Sequence, residues 1–220
     1  MNLALFDLDN TLLSGDSDVL WCEFLINRGV LDKQSFAHRN SQIDAGYRAG
    51  TIEPKVFSDF YAGTLAGKSP AHWEPFRQAF AQEIIHPRIS KSALALVRKH
   101  MVVGSRVVMT TATNRYLAEP SAAYLGIGEV IATELDIQDG IFTGRTTGQP
   151  NMREGKVTRL NEWLTGQNLR LGDFESTAYS DSINDLPLLL CIKHPVAIDP
   201  DDKLRQEALR RGWPIVHLER

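Results

Sequence analysis

Short apolar runs that end in acidic or hydroxyl residues recur along the chain. The first run covers residues 2–8 and stops at Asp9 and Asn10, and a second, at 105–113, ends in a group of threonines. Weaker runs of the same kind occupy residues 129–133, 176–181 and 195–199. Runs of this length are typical of strands that are buried on both faces of a parallel sheet.

Helical periodicity fills the intervals between these strands. The predicted helices cover residues 88–101, 115–125, 154–164, 183–190 and 201–211. Because strands alternate with helices, the pattern predicts an α/β fold with a doubly wound parallel sheet, that is, a Rossmann-like core. Residues 135–146 do not follow this alternation of strands and helices. Their apolar residues flank the turn pair Asp139-Gly140, which predicts a hairpin.

One long segment, from about residue 16 to residue 85, contains no convincing strand. Its apolar residues repeat at helical spacing, for example Val19, Cys22, Ile26, Trp73, Phe76 and Phe80. This pattern predicts a small helical bundle inserted after the first strand. We therefore assign residues 1–14 and 87–220 to the core and residues 15–86 to a helical cap domain, with a hinge at His86-Pro87.

Length, charge and cysteine content narrow the function classes. A chain of 220 residues forms one large domain or a core with a smaller insertion. The net charge of −3 gives no electrostatic footprint for nucleic acid or an anionic membrane. Two cysteines cannot form a disulfide framework or a four-cysteine zinc site. With no basic leader and no apolar run of about 18 residues, we expect a soluble cytoplasmic protein, its oligomeric state left open.

Two carboxylates follow the first predicted strand. Asp7 and Asp9 stand at its carboxyl end, where open α/β sheets bind their ligands. Residues two apart on an extended strand point to the same side, so the two carboxylates repel each other unless a proton or a cation compensates. Surface acid pairs are common, but the apolar strand before this pair and Thr11 after it favour a functional site.

Thr111 and Lys156 each suggest an anion site. Thr111 ends the second strand and precedes a helix, so backbone N–H groups and a helix N-terminus would face one point, which suits phosphate. A helix-capping hydroxyl explains the same residue equally well. Lys156 lies near the start of a predicted helix, against the helix dipole, which hints at a role; a solvated lysine is the alternative.

Asp181, Asn184 and Asp185 follow another apolar strand. Asp181 stands where a metal ligand would stand, and Asp185 lies one helical turn beyond it. A simple helix N-cap at Asp181 or Ser182 is the alternative interpretation. Together with the earlier pair these residues place four acids at one edge of the sheet. Such a cluster needs cations, and Mg²⁺ prefers oxygen ligands.

The ordered set DLDNT, TTAT, Lys156 and SDSIND resembles the haloacid dehalogenase superfamily of aspartate-nucleophile phosphatases. The match spans nearly the whole chain, and the helical insertion stands where this superfamily places a cap. The resemblance is strongest to the branch of phosphoserine phosphatase and related small phosphomonoesterases, which residues 115–135 also resemble.

The resemblance implies catalytic and phosphate-binding roles for five residues of the first three motifs. Asp7 would be the nucleophile that forms an aspartyl-phosphate. Asp9 would protonate the leaving alkoxide and then take a proton from the attacking water. Thr111 and the N–H of Ala112 would bind phosphoryl oxygens, and Lys156 would neutralise the growing negative charge.

The same resemblance implies a Mg²⁺ cofactor. Asp7, the carbonyl of Asp9 and Asp181 would hold the ion. Asp185 would orient the lysine or a metal-bound water, and Asn184 would contact the phosphoryl region.

The chain departs from the phosphoserine phosphatase pattern. Ser180 replaces the usual glycine before Asp181, and TAT replaces a serine-glycine-glycine. Asp16 stands where those enzymes use a glutamate for the substrate amine, but the helix near 53–63 lacks the arginine that clamps the substrate carboxylate, and Arg48 is the nearest. These departures favour an amine-bearing alcohol without a carboxylate, as in histidinol phosphate or phosphoethanolamine. Helix capping is the alternative for Asp16.

The leading prediction is thus a Mg²⁺-dependent phosphomonoesterase acting on a small-molecule phosphate ester. A phosphomutase or phosphotransferase could use the same aspartyl-phosphate, and a phosphoserine phosphatase is a further alternative. A receiver-like signalling module would not need Asp9, because a second acid speeds hydrolysis of the signal. A metal-free dehalogenase would not need Asp9 and Asp181 together.

Overall fold

The computed structural model describes residues 1–219, except for the side chains of Ser35 and Arg48. The interpretation of Arg48 therefore lies outside the described residues. The strands are β1 (Asn2–Phe6), β2 (Arg106–Asn114), β3 (Glu129–Gln138), β4 (Ile141–Thr147), β5 (Glu175–Ser180), β6 (His194–Ile198) and β7 (Ile215–Val216). The helices are α1 (Ser17–Asn27), α2 (Lys33–Ala49), α3 (Pro54–Ala62), α4 (Pro70–Phe80), α5 (Lys91–Val102), α6 (Arg115–Leu125), α7 (Glu154–Thr165), α8 (Leu186–Cys191) and α9 (Asp202–Arg211).

The strands form one sheet in the order β4-β3-β2-β1-β5-β6-β7. Neighbouring strands are parallel except for β3 and β4, which are antiparallel. The chain leaves β1 toward β2 and later returns to the other side of β1 at β5. Parallel sheets open a ligand crevice at such a reversal, outside the carboxyl ends of the strands. The doubly wound parallel sheet predicted from the sequence is confirmed.

Successive residues of β1 point to opposite faces of the sheet. Leu3 and Leu5 join the apolar cluster under α7, α8 and α9, whereas Ala4 and Phe6 join the cluster under α5 and α6. All four side chains are buried. Burial on both faces is the reason why this strand is apolar from Leu3 to Phe6.

The insertion after β1 is helical, as predicted, and it shares the core of the sheet. Trp21, Phe24, Trp73 and Phe80 of α1 and α4 belong to the same buried cluster as Phe6 of β1. A smaller cluster joins residues of α2 and α3 to Cys22 of α1 and to two residues of the core. The helices α1 and α4 therefore pack into the main apolar core, whereas α2 and α3, called here the outer helices, contribute none of its buried residues.

The predicted hairpin is formed by β3 and β4, and it contacts the insertion. Asp59 of α3 accepts hydrogen bonds from the backbone N–H and the hydroxyl of Thr146, at 2.8 and 2.7 Å. Gly67 donates to the carbonyl of Phe142 at 2.9 Å, and Phe142 donates to the carbonyl of Lys68 at 3.0 Å. The hairpin thus supports the insertion from the side of β4.

Three elements differ from the sequence-based expectations. α2 was missed because its residues are mostly polar, with Asn40 and Ile43 among its few buried side chains. β7 is only two residues long, too short for a detectable pattern. The segment 183–190, predicted as one helix, starts as a 3₁₀ turn and becomes α-helical at Leu186. In the described part of the chain, no helix is both long and apolar enough to cross a membrane.

Candidate active site

The two aspartates of the DLDNT motif lie just beyond the end of β1. The strand ends at Phe6, and Asp7 still donates its N–H to the carbonyl of Tyr179 on β5 at 3.0 Å. Asn10 then adopts φ 57°, a left-handed conformation that asparagine tolerates, and the chain reverses. Asp7 and Asp9 are therefore held at the carboxyl edge of the sheet.

Lys156 is buried between two carboxylates. Its Nζ lies 2.7 Å from Asp7 Oδ1 and 2.7 Å from Asp185 Oδ2. The hydroxyl of Ser180 donates to the same oxygen of Asp185 at 2.7 Å. Burial alone would lower the pKa of Lys156, but the charges of Asp185 and Asp7 raise it above its usual value. The ammonium group therefore stays charged, and the alternative of a solvated lysine is wrong.

The loop before α7 explains how this lysine reaches the carboxylates. Lys156 lies in the first turn of α7, where a positive charge opposes the helix dipole. At Gly155 a Cβ atom would come within 2.1 Å of the carbonyl oxygen of Pro150, so only glycine fits. Arg153 has φ 53°, a left-handed conformation that is unusual for arginine. This tight turn directs Lys156 across the end of the sheet.

Burial changes the protonation of two carboxyl groups in the site. It raises the pKa of Asp7 to about 7 against the opposing effect of Lys156, and the charges of Asp185 and Asp9 add to the rise. Burial also raises the pKa of Asp181 well above its usual value, and the charges of Asp7 and Asp185 contribute. Neighbouring carboxyl groups that resist ionisation in this way create a place for a cation.

The hydroxyl of Thr11 lies between the carboxylates of Asp7 and Asp181. Thr11 Oγ1 is 3.0 Å from Asp7 Oδ2 and 3.0 Å from Asp181 Oδ1, and it accepts the N–H of Asp181 at 3.1 Å. A hydroxyl has one proton, so it can donate to only one of the two carboxylates at a time. The carboxylate that receives no hydrogen bond from Thr11 keeps its negative charge, and a bound cation would balance that charge.

Carboxylate, hydroxyl and carbonyl oxygens are the donors available around this point. Within the described residues, no group of three or more His, Cys, Asp or Glu side chains forms a ready-made metal cage. That donor set fits Mg²⁺, which typically uses one or two carboxylates and keeps several waters or substrate phosphate oxygens. It does not fit a structural zinc site, which needs four thiolate or imidazole ligands.

A bulge in β2 brings two threonine hydroxyls to Asp9. Between Thr110 and Asn114 four steps along β2 face only two steps along β3. Bulges of this kind re-aim side chains next to active sites. The hydroxyls of Thr111 and Thr113 lie 3.3 and 2.7 Å from Asp9 Oδ2.

The helix after β2 is capped by Asn114, not by Thr111. The Asn114 side chain accepts the N–H of the third residue of α6 at 3.1 Å. The capping interpretation of Thr111 is therefore wrong, because its hydroxyl accepts the N–H of Thr113 at 3.2 Å and faces the site. The carbonyl of Ala112 accepts a hydrogen bond from the hydroxyl of Thr133 at 2.7 Å. These bonds hold the TTAT segment at the edge of the crevice.

Asn151 fills the gap that the bulge opens between β2 and β3. Its Nδ2 donates to the carbonyls of Thr111 and Ile131, at 2.9 and 3.0 Å, and to the hydroxyl of Thr110 at 3.1 Å. Its own N–H donates to the hydroxyl of Thr133 at 3.0 Å. The sequence analysis missed this residue, because a single asparagine in a loop carries no pattern of its own.

The turn of residues 181–185 holds all three predicted residues that follow β5. Ser182 caps its 3₁₀ turn by accepting the N–H of Asn184 at 3.2 Å. Asn184 donates from Nδ2 to the carbonyl of Tyr47 in α2 at 3.0 Å and accepts from Arg153 Nε at 3.3 Å. The amide of Asn184 therefore joins the insertion to the core at the rim of the site.

A cavity of about 290 Å³ lies between the turn after β1, the insertion and the ends of β5 and β6. It is lined by Asp9, Asn10, Asp16, Asp44, Tyr47, Asp181, Ser182, Asp199, Pro200 and Asp201. Among the lining side chains that the structure describes, carboxylates dominate and none is basic. A larger cavity, of about 390 Å³, lies between α4 and α6 and includes none of the predicted site residues.

Asp16 has two roles in the structure. As the N-cap of α1 its Oδ1 accepts the N–H groups of Asp18 and Val19, both at 3.0 Å. The same residue lines the acidic cavity. The capping interpretation is therefore confirmed, and contact of Asp16 with a substrate amine stays a prediction.

The predicted site residues converge, although their chemical roles stay predictions. Contacts at hydrogen-bond distance link Asp7, Lys156, Asp185, Asp181, Asp9 and Thr111 into two adjoining groups. Sequence analysis missed Thr113, which lies within the TTAT segment but carries no signal beyond it. It also missed Tyr47, because α2 was not recognised.

Comparison with known families and sequences shows which proteins the chain is similar to. The family model of haloacid dehalogenase-like hydrolases matches residues 4–190. A protein named histidinol-phosphatase from Neisseria meningitidis serogroup C (strain 8013) is 38% identical over 220 residues, which cover 99% of each chain. Phosphoserine phosphatase SerB1 of Mycobacterium tuberculosis (strain ATCC 25618 / H37Rv) is 33% identical, over 96% of this chain and 69% of that protein.

Solved structures share the fold. A protein of unknown function from Bordetella pertussis Tohama I is 40% identical, with a TM-score of 0.92 over 98% of this chain and 97% of that one. A substrate-bound phosphoserine phosphatase has 16% identity and a TM-score of 0.70, over 100% of this chain and 93% of that one. The second likeness concerns the fold alone.

Proposed function

Because the chain belongs to the haloacid dehalogenase-like hydrolase family and is a phosphatase of that family, we propose that it is a Mg²⁺-dependent phosphomonoesterase that acts through an aspartyl-phosphate. Its substrate is a small organic phosphate with a cationic leaving group, and histidinol phosphate is the first candidate. Residues 15–86 act as a cap over the site.

The observation that carries this proposal is the placement of Asp7. Its carboxylate is buried, it is held at 2.7 Å by a charged lysine, and it lies at the carboxyl edge of the sheet beside Asp9. Lys156 keeps the carboxylate ionised at the pH of the cell when a metal ion also compensates its charge. A fixed and ionised carboxylate of this kind is suited to nucleophilic attack.

The proposed reaction has two steps. In the first, an Asp7 oxygen forms a bond to phosphorus, the bond from phosphorus to the alcohol oxygen breaks, and Asp9 gives its proton to that oxygen. In the second, Asp9 takes a proton from water, the water oxygen bonds to phosphorus, and the bond between Asp7 and phosphorus breaks. Inorganic phosphate leaves and both aspartates return to their starting state.

The remaining site residues bind and orient the phosphoryl group. Lys156 offsets the negative charge that grows on phosphoryl oxygens, and Thr111 with the N–H of Ala112 contacts those oxygens. Asp185 holds Lys156 in place through the bond at 2.7 Å. Asn184 lies at the rim and contacts the same region of the substrate.

The oxygen donors around Thr11 fit Mg²⁺, and Asp7, Asp181 and the carbonyl of Asp9 are the groups that would hold it. When bound, the ion supplies positive charge that stabilises the transferring phosphoryl group. The raised pKa values of Asp7 and Asp181 support this assignment, since burial and then the charges of neighbouring carboxylates disfavour their ionised forms, which a cation would stabilise.

The acidic cavity supports a cationic substrate. Asp16 and Asp44 approach it from the insertion, and Asp199 and Asp201 from the end of β6. A carboxylate-bearing ester would meet repulsion there, whereas an amine or imidazolium would be attracted. The relative named histidinol-phosphatase, 38% identical along the whole chain, supports the same choice. Phosphoserine is the second candidate, because a 33% identical relative is named phosphoserine phosphatase.

Phosphate release from a panel of esters tests the proposal. The panel contains histidinol phosphate, phosphoethanolamine, phosphoserine and a sugar phosphate, each with Mg²⁺ and with a chelator. We expect Mg²⁺-dependent release with the highest kcat/KM for histidinol phosphate. A higher kcat/KM for phosphoserine would overturn the substrate assignment, and transfer of phosphate to a sugar without release would overturn hydrolysis.

Replacing Asp16 with asparagine tests the cationic subsite. Asparagine still caps α1, so the fold is preserved while one negative charge is removed. We expect KM for an amine-bearing ester to rise about 10-fold, the loss of one charge-assisted contact, with little change for an ester of an uncharged alcohol. Asp202→Asn, at an exposed helix start, is the matched control. An equal KM change for both esters would argue against this subsite.

Mg²⁺ is expected to stabilise the protein more at about pH 8 than at about pH 5. Burial raises the folded pKa of Asp7 to about 7, above the unfolded value near 3.9. Between these values folding takes up a proton, so without metal the free energy of unfolding falls as the pH rises. Mg²⁺ replaces that proton, and thermal melts with and without Mg²⁺ measure the effect. Asp7→Asn should reduce the pH dependence of the Mg²⁺ effect, and the raised pKa of Asp181 accounts for what remains.

A further inference from the structure

We propose that Thr113 is a positioning residue that orients Asp9 for proton transfer to the leaving group. The proposal rests on the proposed function, in which Asp9 is the general acid. Thr113 lies in the bulge of β2, two residues beyond Thr111, and its side chain is buried. It does not touch the reacting phosphoryl group in this assignment; it acts through Asp9.

The carboxylate of Asp9 is held on both of its oxygens. Oδ1 accepts the N–H of Ser17, the first residue of α1, at 2.7 Å. Oδ2 accepts the hydroxyl of Thr113 at 2.7 Å, and the hydroxyl of Thr111 is more distant, at 3.3 Å. The short contact to Thr113 is therefore the stronger side-chain bond to Oδ2.

Thr113 is itself held by a second hydroxyl, and it also lies at hydrogen-bond distance of the buried carboxyl of Asp18. Ser17 Oγ and Thr113 Oγ1 are 2.9 Å apart, and both side chains are buried. When Thr113 donates to Asp9, the hydroxyl of Ser17 supplies the hydrogen of the bond between the two hydroxyls. A hydroxyl both donates and accepts, so the same contact remains possible after Asp9 gains or loses its proton during turnover.

This arrangement ties Asp9 to two parts of the protein. Ser17 belongs to the insertion and Thr113 to the sheet, so Asp9 is oriented only when α1 and β2 stand in their observed relation. General acid catalysis requires the acid to lie within hydrogen-bond reach of the leaving oxygen. A small rotation of Asp9 would therefore slow the departure of an alkoxide without removing the nucleophile.

Leaving groups of different basicity separate this role from a structural one. An alkoxide needs a proton as it leaves, whereas an aryl oxide such as p-nitrophenolate leaves without one. The value of kcat/KM covers the steps up to departure of the leaving group, and so it reports on this difference. A variant that only disturbs the fold lowers kcat/KM for both esters together.

The experiment compares wild type, Thr113→Val and Thr113→Ser on an alkyl phosphate and on p-nitrophenyl phosphate. Valine keeps the shape of threonine and removes the hydroxyl. We expect Thr113→Val to lose about 10- to 100-fold in kcat/KM on the alkyl ester, part of the factor that general acid catalysis supplies, and less than about threefold on the aryl ester. Thr113→Ser should restore most of the activity on the alkyl ester.

Two further variants decide the interpretation. Thr110→Val is the matched control, since this buried threonine of the same strand contacts Asn151 instead of Asp9, and it should affect both esters equally. Asp9→Asn tests the underlying role and should lose activity mainly on the alkyl ester. Selective loss in Asp9→Asn but equal loss, or none, in Thr113→Val would overturn the inference. Equal loss on both esters in Asp9→Asn would overturn the proposed role of Asp9 itself.

Discussion

Asp7→Asn is expected to reduce phosphate release at least about 10⁴-fold, because loss of a covalent nucleophile leaves only the residual effect of binding and electrostatics. Asparagine has the size of aspartate and can still contact Lys156 and Thr11. The fold should therefore survive, and circular dichroism with a thermal melt checks that it does. The measurement is the rate of phosphate release from the best ester of the panel in excess Mg²⁺.

Trapping of the intermediate makes this result specific to the nucleophile. Acid quenching of the wild type during turnover should add the mass of one phosphoryl group to the peptide that contains Asp7. Asp139→Asn, in the exposed turn of the hairpin, is the matched control and should behave as wild type. A phosphorylated peptide elsewhere in the chain, or an active Asp7→Asn enzyme, would contradict the assignment.

Lys156→Met is expected to lower the free energy of unfolding by about 3–5 kcal/mol and to abolish activity. The lysine is the shared partner of Asp7 and Asp185, and its removal leaves buried carboxylates without their countercharge. Lys156 lowers the pKa of Asp7, so its loss also favours the protonated, non-nucleophilic form. Urea denaturation and phosphate release measure the two effects.

The pH dependence distinguishes lost charge from lost packing. When the pKa of a carboxyl is higher in the folded than in the unfolded protein, its ionisation lowers the free energy of unfolding above the folded pKa. Below the unfolded pKa the carboxyl is protonated in both states and has little effect. The destabilisation of Lys156→Met should therefore be larger at about pH 8 than at about pH 4, relative to the exposed control Lys91→Met. A destabilisation that does not change with pH would mean that the methylene packing of Lys156 matters more than its charge.

The strands and the motif residues at their ends could be predicted because both are local in the sequence. β1 is apolar from Leu3 to Phe6 because both of its faces are buried there, and its register brings Asp7 to the edge of the sheet. The parallel arrangement then places Asp181, after β5, beside it. Chain order and strand geometry were sufficient for that step.

The residues that hold the site residues in place could not be predicted, because their contacts depend on how segments far apart in the sequence are aligned with one another. Thr113 meets Asp9 only because β2 gains a bulge against β3. The position of Asn151 depends on the same bulge. Its side chain donates to the carbonyl of Thr111 on β2 and to the carbonyl of Ile131 on β3. α2 escaped detection because it buries few apolar side chains, and with it the contact from Tyr47 to Asn184 was missed.

The shared core of sheet and insertion has a consequence for protein engineering. A chimera that exchanges residues 15–86 as one cassette would cut through a single cluster containing Trp21, Trp73, Phe80 and Phe6. Mismatched aromatic packing there costs stability in any recipient sheet. Grafts restricted to the outer helices, from Lys33 to Ala62, leave that cluster whole. The lining that α2 gives to the acidic cavity, Asp44 and Tyr47, can therefore be exchanged while α1 and α4 are kept as part of the scaffold.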